Sequence, residues 1–266
     1  AKARMNVSQV ALFGGVYSNH LALSALLEDV RRRGIRDSYC LGDLGGFGPN
    51  PDKVFSLLRD AGVNVIQGNY DESVGNDLPD CQCGYTDPRD NDFARLSYLY
   101  THSRTSAKNK AWMRSLPKQR KFELGGARIH LCHGSPRKIN EFLWESTTST
   151  AFLERLCDEN AADLIVATHT GLPWHRELPS GRHFLNCGVI GRPANDGRVC
   201  VWYAGVAFTG GGLGVELIPL EYDHVRFAVE MRDEKLPQEF ISTIETGWWT
   251  TCLEVLPAKE RARGIY

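Results

Sequence analysis

Long hydrophobic runs and an excess of charge are both missing from this sequence of 266 residues. The longest apolar runs, such as 10–16, fall far short of the roughly 20 residues that cross a bilayer, so no membrane span is expected. The net charge of −1 gives no broad attraction to nucleic acid or to an anionic membrane. No signal-peptide pattern opens the chain, and we expect a cytoplasmic protein.

A regular cysteine framework is also missing, because the eight cysteines are scattered along the chain. Several, including Cys40, Cys132 and Cys200, lie in or beside apolar runs, which is typical of reduced thiols in a core. Cys81 and Cys83 form a close pair, which is compatible with half of a zinc site or with a redox pair. No second pair at ligand spacing lies nearby, so reduced thiols are the default expectation here as well.

The first half of the chain repeats one pattern: a strand-like apolar run, a Gly-rich or polar turn, then an amphipathic stretch. The runs are 7–13, 38–41 and 63–66. After the first of them, apolar residues recur at helical spacing within 22–33. Strands that alternate with helices indicate a mainly parallel or mixed sheet covered on both faces.

The second half combines a polar segment with short strand-like runs. Residues 73–121 have helical periodicity only in 93–102 and 109–115, and we expect an insertion or cap beside the sheet. Strand signals then resume at 128–132, 163–167, 183–186, 199–203, 215–219 and 225–231. Their close succession favours a second, largely antiparallel sheet.

The predicted fold class is α/β, as an α+β-type sandwich of two mixed sheets flanked by helices. We expect a single domain, 1–266, with the insertion at 73–121 and a C-terminal helical extension at 238–266. Helix is predicted over 238–264. Within it, Trp248 and Trp249 are expected to dock on the body of the protein or on a partner.

Five predicted strands end in residues able to bind a metal ion or a phosphate. In chain order these ends are Phe13-Gly14-Gly15-Val16-Tyr17-Ser18-Asn19, Gly42-Asp43, Gly68-Asn69-Tyr70-Asp71, His133-Gly134-Ser135-Pro136 and Thr168-His169-Thr170-Gly171. Ligands collect at the carboxyl edge of strands in open α/β sheets, so the recurrence favours a binding site. Taken singly, an aspartate or asparagine after glycine is explained as well by turn capping.

This order of motifs, together with Gly48-Pro49-Asn50-Pro51 and Asn186-Cys187-Gly188, resembles the calcineurin-like metallophosphoesterases. The similarity is greatest to their small bacterial and archaeal phosphodiesterase branch, and it spans roughly 7–205. It implies the metallophosphoesterase fold, in which two ions activate a water and clamp the phosphate for in-line displacement. The tail beyond about 220 is not covered by the resemblance.

The resemblance implies one complete metal site. Asp43, Asn69, His133 and His169 match the bridging aspartate, the asparagine and two histidines that hold the second metal of that family. One carboxylate, one amide oxygen and two imidazoles suit a single divalent ion: zinc, iron or manganese.

The same resemblance implies that the other metal site is lost. The three family ligands that bind only this metal correspond to Gly15, Tyr17 and Gly171. Glycine has no side-chain donor, and a neutral phenol with a pKa of about 10 binds divalent metal poorly.

Three residues are candidates for catalysis and two for substrate binding. Tyr70 stands where the family has a catalytic histidine, and for Tyr17 and Tyr70 a catalytic role and a space-filling role are equally compatible with the sequence. His175 is a third candidate to donate hydrogen bonds to developing charge. Asn19 and Arg192 are the candidates to bind substrate.

The interpretation is a metal-dependent phosphoesterase that uses one ion and acts on a small phosphorylated substrate, either a phosphomonoester or a phosphodiester. One alternative is a non-catalytic descendant that binds a phosphorylated ligand or a partner protein. Another is a site repurposed for different chemistry, since a fold does not fix a function. Loss of three ligands favours the alternatives, and preservation of four favours the enzyme. No nucleic-acid or membrane partner is expected, and a homo-oligomer is left open.

Overall fold

A computed structural model describes residues 8–262, and the structural statements below concern that part of the chain. The strands are β1 (Ser8–Phe13), β2 (Asp37–Cys40), β3 (Asn64–Val65), β4 (Arg120–Leu124), β5 (Ala127–Leu131), β6 (Leu164–Ala167), β7 (Trp174–Glu177), β8 (His183–Asn186), β9 (Val201–Thr209) and β10 (Gly212–Leu220). The helices are α1 (His20–Arg32), α2 (Lys53–Asp60), α3 (Asn69–Gly75), α4 (Pro88–Arg104), α5 (Ala107–Ser115), α6 (Thr150–Asn160), α7 (His224–Asp233), α8 (Gln238–Thr246) and α9 (Ala258–Arg261).

The strands form two mixed five-stranded sheets, which confirms the predicted fold class. The first has the order β10-β9-β1-β2-β3 and the second the order β4-β5-β6-β8-β7. In the first sheet β1 pairs in parallel with β2 and antiparallel with β9. In the second, the central pairs β5-β6 and β6-β8 are parallel, whereas the outer pairs are antiparallel.

The core between the sheets follows from the alternation of side chains along each strand. In β1, Leu12 packs in the layer between the two sheets, while its neighbour Phe13 packs against the helices on the outer face. In β6, Val166 packs in the inner layer, and its neighbour Ile165 packs on the face covered by α6. Strands buried on both faces read as continuous apolar runs, which is why these segments are visible in the sequence.

Three sequence-based expectations are corrected by the structure. The segment 225–231 is helical and lies in α7, where buried Phe227, Ala228 and Met231 share one face and Asp223 accepts a hydrogen bond from the N–H of Arg226. The runs 199–203 and 215–219 belong to β9 and β10 of the first sheet. The second sheet is parallel at its centre, because α6 provides a crossover that the strand pattern alone did not indicate.

The segment after β10 is helical only in part. Helix α8 ends at Thr246, where Gly247 adopts a left-handed conformation with φ of 79°. An irregular stretch follows before α9, so the continuous helix predicted over 238–264 is wrong for the described part. The ends of the predicted domain, 1–7 and 263–266, lie outside the described residues. No helix within 8–262 is long and apolar enough to span a membrane.

Candidate metal centre

The predicted metal ligands meet where strands of the two sheets end. Asp43 follows β2, Asn69 begins α3 just after β3, His133 follows β5 and His169 follows β6. Ligand atoms of Asp43, His133 and His169 all lie within 4.8 Å of one another. The four strand ends therefore bring a carboxylate and two imidazoles into one cluster, with the amide of Asn69 lining the same cavity.

The hydrogen bonds of His133 fix its tautomer. Its Nδ1 lies 2.6 Å from the carbonyl oxygen of Leu41, which can only accept, so Nδ1 carries the proton. Nε2 then offers a lone pair toward the carboxylate of Asp43, at 3.2 Å, and the ring of His169, at 3.1 Å. A backbone carbonyl that holds the far nitrogen in this way is the usual support of a metal-binding histidine.

Asn69 is oriented by the segment that carries the two close cysteines. Its Nδ2 donates to the carbonyl oxygen of Cys81 at 2.9 Å. Its Oδ1 is buried and has no hydrogen-bond partner in the described chain. A buried acceptor without a donor is costly, and a cation would satisfy it, so the donor set fits a divalent ion.

Asp43 is held in place by Asp71, a residue that motif reasoning overlooked. One carboxylate oxygen of Asp71 accepts from the N–H groups of Asp43 and Gly68, each at 2.8 Å, and the other from Leu44 at 3.0 Å. Asp43 in turn accepts from the N–H of Tyr70 at 3.0 Å. The acidic residue that ends the Gly68-Asn69-Tyr70-Asp71 motif was the signal, and it ties the two ligand loops together.

Close approach of these loops requires a glycine. A Cβ on Gly68 would lie 2.3 Å from Oδ1 of Asp43 and 2.5 Å from its backbone nitrogen. Any side chain at this position would displace the carboxylate that belongs to the cluster.

The electrostatics of the cluster favour the metal-binding forms of Asp43 and His169. Burial raises the pKa of Asp43, but the neighbouring His133 outweighs burial and leaves the pKa lowered. Burial and the charge of His133 lower the pKa of His169 to about 3. Asp43 is therefore ionised and His169 neutral near pH 7. For His133 burial lowers the pKa, while Asp43 more than compensates and leaves it raised.

The side of the cavity that corresponds to the missing ligands is filled with protein. Gly15 has φ of 49°, and a Cβ on it would lie 2.2 Å from Cγ1 of Val189. A Cβ on Gly171 would lie 3.3 Å from the ring of Trp249. Tyr17 is 5% exposed and lines the cavity. Packed side chains thus occupy the places that extra ligands would need.

The two predicted catalytic tyrosines line the cavity but differ in their hydroxyl groups. The Tyr70 hydroxyl is hydrogen-bonded to Oγ of Ser97 at 2.7 Å. The Tyr17 hydroxyl lies near the charges of Arg192 and Asp43 and interacts with them electrostatically. Burial raises the pKa of both phenols well above the ordinary value, so both are neutral near pH 7.

The structure places His175 and Asn19 away from the lining of this cavity. His175 lies on β7, with Nε2 3.0 Å from Nδ1 of His183. Asn19 caps α1, because its Oδ1 accepts from the N–H of Ala22 at 3.0 Å. Strand and motif position alone did not separate these two residues from those that face the cavity.

The cavity itself is small and mostly aromatic. Its volume is about 20 Å³, and beside the ligands its wall includes Phe47, Tyr85, Phe142, Trp144, Arg192 and Trp249. Arg192, one of the two predicted substrate-binding residues, therefore does reach the site. Trp249 docks on the body of the protein, where its ring N–H donates to the carbonyl of Pro193 at 2.7 Å. Nothing in the five motifs indicated it.

Cys81 and Cys83 are joined by a disulfide, so the default expectation of reduced thiols is wrong for this pair. Gln82 between them has φ of 51°, which bends the chain and brings the two Cα atoms to 5.3 Å. The other six cysteines are free. Cys83 lines the cavity, and the carbonyl of Cys81 holds Asn69, so the disulfide belongs to the wall of the candidate site.

Two mixed sheets between helices, with carboxylate, amide and imidazole groups at their strand ends, define an α/β protein with a candidate divalent-metal centre. The chain belongs to the calcineurin-like phosphoesterase superfamily, whose domain model matches residues 9–206. The family suggested by the motifs is therefore confirmed.

Similar proteins cover almost the whole chain. An uncharacterized protein of Methanocaldococcus jannaschii is 26% identical over 251 residues, which is 87% of this chain and 95% of that protein. The crystal structure of a hypothetical protein from Pyrococcus horikoshii has a TM-score of 0.74 at 23% identity, covering 91% of this chain and 99% of its own. A metallophosphoesterase from Sphaerobacter thermophilus has a TM-score of 0.69 at 24% identity, covering 91% and 100%. At this identity the two structures establish the shared fold.

Proposed function

We propose that the protein hydrolyses a small phosphate ester with one divalent metal ion. The ion would be held by Asp43, Asn69, His133 and His169. The observation that carries the proposal is the buried Oδ1 of Asn69, which has no partner in the described chain and lines the cavity with Asp43 and His169. Zinc, iron and manganese all accept this mixture of oxygen and nitrogen ligands.

A single ion is supported by the packing on the opposite side of the cavity. Val189 and Trp249 stand against Gly15 and Gly171, and Tyr17 is buried on the same side. These contacts leave one set of ligands for one ion.

Within the cavity the chain's own residues bind and orient rather than transfer protons. When bound, the ion would supply Lewis acidity and lower the pKa of a coordinated water. The neutral hydroxyl of Tyr17 is a donor for a phosphoryl oxygen. Apart from the ligands, the described lining of the cavity contains no histidine and no carboxylate, so no separate general base is at hand. We expect slow turnover for this reason.

A second candidate function is binding without hydrolysis. The filled side of the cavity favours it, because a two-ion clamp on the attacking and leaving oxygens has no place to form. The expectations of a small phosphorylated partner, of a single domain and of a homo-oligomer apply equally to this candidate and remain proposals.

The test combines metal analysis with an activity assay. Protein stripped with a chelator and reloaded with zinc, iron or manganese should hold one equivalent by elemental analysis. It should then hydrolyse p-nitrophenyl phosphate or its bis ester, and the chelated protein should not. If the protein held one equivalent of metal but hydrolysed neither ester, the hydrolase proposal would fail and the binding function would take its place. Two tightly bound equivalents would contradict the single-ion centre.

A further inference from the structure

Among the described residues, Arg192 is a buried cation without a carboxylate partner. It is 6% exposed, and its Nε has no hydrogen-bond partner in the part of the chain that the structure describes. Burial lowers its pKa, while Cys252, Tyr17 and Tyr85 raise it and outweigh burial. None of these three groups is a carboxylate, although buried arginines are normally paired with one.

Aromatic rings take the place of that missing partner. The guanidinium carbon of Arg192 lies 3.6 Å from the ring centre of Trp249, 4.5 Å from that of Phe47 and 5.9 Å from that of Tyr17. Such contacts stabilise a buried cation through the ring faces and leave its N–H groups unused. Cys252 forms a side-chain hydrogen bond with Arg192, so the buried donor that remains for a ligand is Nε.

The remaining donor belongs to the same cavity as the metal ligands. Arg192 lines it together with Asp43, Asn69 and His169. A divalent ion and a guanidinium leave the cavity positive even after the carboxylate of Asp43 is counted. A doubly negative group matches this charge.

We infer that Arg192 forms a subsite for a terminal phosphoryl group, so that the ligand is a phosphomonoester dianion. The planar fork of the guanidinium matches two oxygens of a phosphate. Its positive charge stands on the filled side of the cavity, where the family's pattern has the first metal. The inference rests on the proposed metal centre and narrows its substrate class from phosphate esters to phosphomonoesters.

The test measures binding of inorganic phosphate to the manganese-loaded protein by calorimetry. Arg192→Met keeps an unbranched apolar stem but removes the charge, the donors and the guanidinium that lies over Trp249. It should weaken phosphate binding about 10- to 100-fold while one equivalent of metal remains bound. Arg198→Met is the matched control, because Arg198 also lies over a tryptophan, Trp202 at 5.1 Å, yet is paired with Asp196. The control should bind phosphate like the wild type.

The substrate class is tested with a second probe. Dimethyl phosphate, a singly charged diester, should bind the wild-type protein at least about tenfold more weakly than inorganic phosphate, because it lacks the second charge and two of the free oxygens. Equal affinity for the two probes would overturn the phosphomonoester assignment. Unchanged phosphate affinity in a folded Arg192→Met variant would overturn the subsite itself.

Two further readouts keep the inference separate from the proposed activity. If Arg192→Met does not fold, Arg192→Lys keeps the charge without the planar fork; it should still lose about tenfold in affinity, and wild-type affinity would overturn the subsite. If the wild type binds phosphate through Arg192 but hydrolyses no ester, the hydrolase proposal fails and the subsite stands. If Arg192→Met hydrolyses p-nitrophenyl phosphate at the wild-type rate and KM, the subsite fails and the hydrolase stands.

Discussion

The two sides of the cavity are built in different ways. The metal half consists of polar side chains at strand ends of both sheets: Asp43, Asn69, His133 and His169. The filled half consists of two glycines, two aromatic rings and one buried cation: Gly15, Gly171, Tyr17, Trp249 and Arg192. The metal half offers oxygen and nitrogen ligands to an ion, whereas the filled half is closed by packing around Arg192, whose Nε has no partner in the described chain. Where the resemblance places the other metal, this chain thus has packed side chains.

The two halves also come from different parts of the chain. All four ligands lie within 9–206, the part that matches the family. Trp249 lies outside that match, and its backbone N–H donates to Oδ1 of Asn195 at 2.9 Å, next to the loop that carries Arg192. A segment beyond the family domain therefore shapes one half of the site, and the other half needs nothing from it.

The largest effect is expected from breaking the metal half. His133→Ala removes an imidazole that faces both Asp43 and His169. Metal content should fall from one equivalent to nearly none. Loss of a residue that only orients a metal ligand slows activity by up to about 100-fold, so loss of the ligand itself should slow hydrolysis by more than that. Elemental analysis and an ester assay measure both. His175→Ala, a histidine outside the cavity lining, is the control and should keep its metal; retention of metal by His133→Ala would refute the assigned centre.

The next effect is on stability and concerns the support of the metal half. Asp71→Ala leaves three buried N–H groups without their acceptor, and each unsatisfied group costs about 1–3 kcal/mol. We expect the free energy of unfolding to fall by about 3 kcal/mol or more in urea titrations. Asp77→Ala removes an exposed aspartate whose ion pair with Lys110 is screened by solvent, and it should cost much less than Asp71→Ala. Similar losses in the two variants would mean that Asp71 does not tie the loops together.

A third experiment attempts to convert the filled half back into a metal site. The triple variant Gly15→Asp, Tyr17→His and Gly171→His should still bind only one ion. Val189 stands 2.2 Å from the new Cβ at position 15, and overpacking of this kind costs about 1–3 kcal/mol.

The matched comparison adds Val189→Gly to the triple variant. Removing that side chain clears the closest contact, so any second equivalent of metal should appear only in the quadruple variant. Two equivalents in the triple variant, measured by elemental analysis, would show that the filled half remains open to a metal ion.

The smallest effects are expected from the two tyrosines, one beside each half. Tyr17→Phe removes a hydroxyl that is available to a phosphoryl oxygen and should slow hydrolysis about 3- to 10-fold, the worth of one neutral hydrogen bond. Tyr70→Phe removes a hydroxyl already bonded to Ser97, so it should cost about 1 kcal/mol of stability and leave the rate within about 3-fold. Steady-state kinetics and melting curves compare the pair. The reverse order of rates would assign Tyr70 to catalysis and Tyr17 to packing.

The sequence indicated the metal half well because its signals are local. Each ligand follows a buried strand within a few residues, and strands that end at one edge of a sheet bring such residues together. Asp43 and His133 come from different sheets, yet each could be assigned from its own strand end. The filled half has no comparable signal. Val189 and Trp249 reach it through contacts between segments far apart in the chain.

The errors in the fold have the same origin. The alternation of apolar residues in 215–219 identifies a strand but not the sheet that it joins, since pairing with β9 is decided by the register of a hairpin. In 225–231 the exposed Val225 and Val229 gave a strand-like appearance, although the buried residues follow helical spacing. The Cys81–Cys83 bond depended on a backbone bend at Gln82 that no residue type requires.

The tie between Asp90 and Cys252 has a consequence for folding. Asp90 accepts from the N–H of Cys252 at 2.7 Å, across 162 residues of sequence. Contacts of such high sequence separation require the closure of a long loop, whose entropy must be overcome before they contribute stability. The first sheet has the same requirement, because Ser8 of β1 pairs with Phe208 of β9. The wall that carries Trp249 and the sheet that carries Asp43 therefore both depend on contacts between distant parts of the chain, and the cavity is complete only when these contacts have formed.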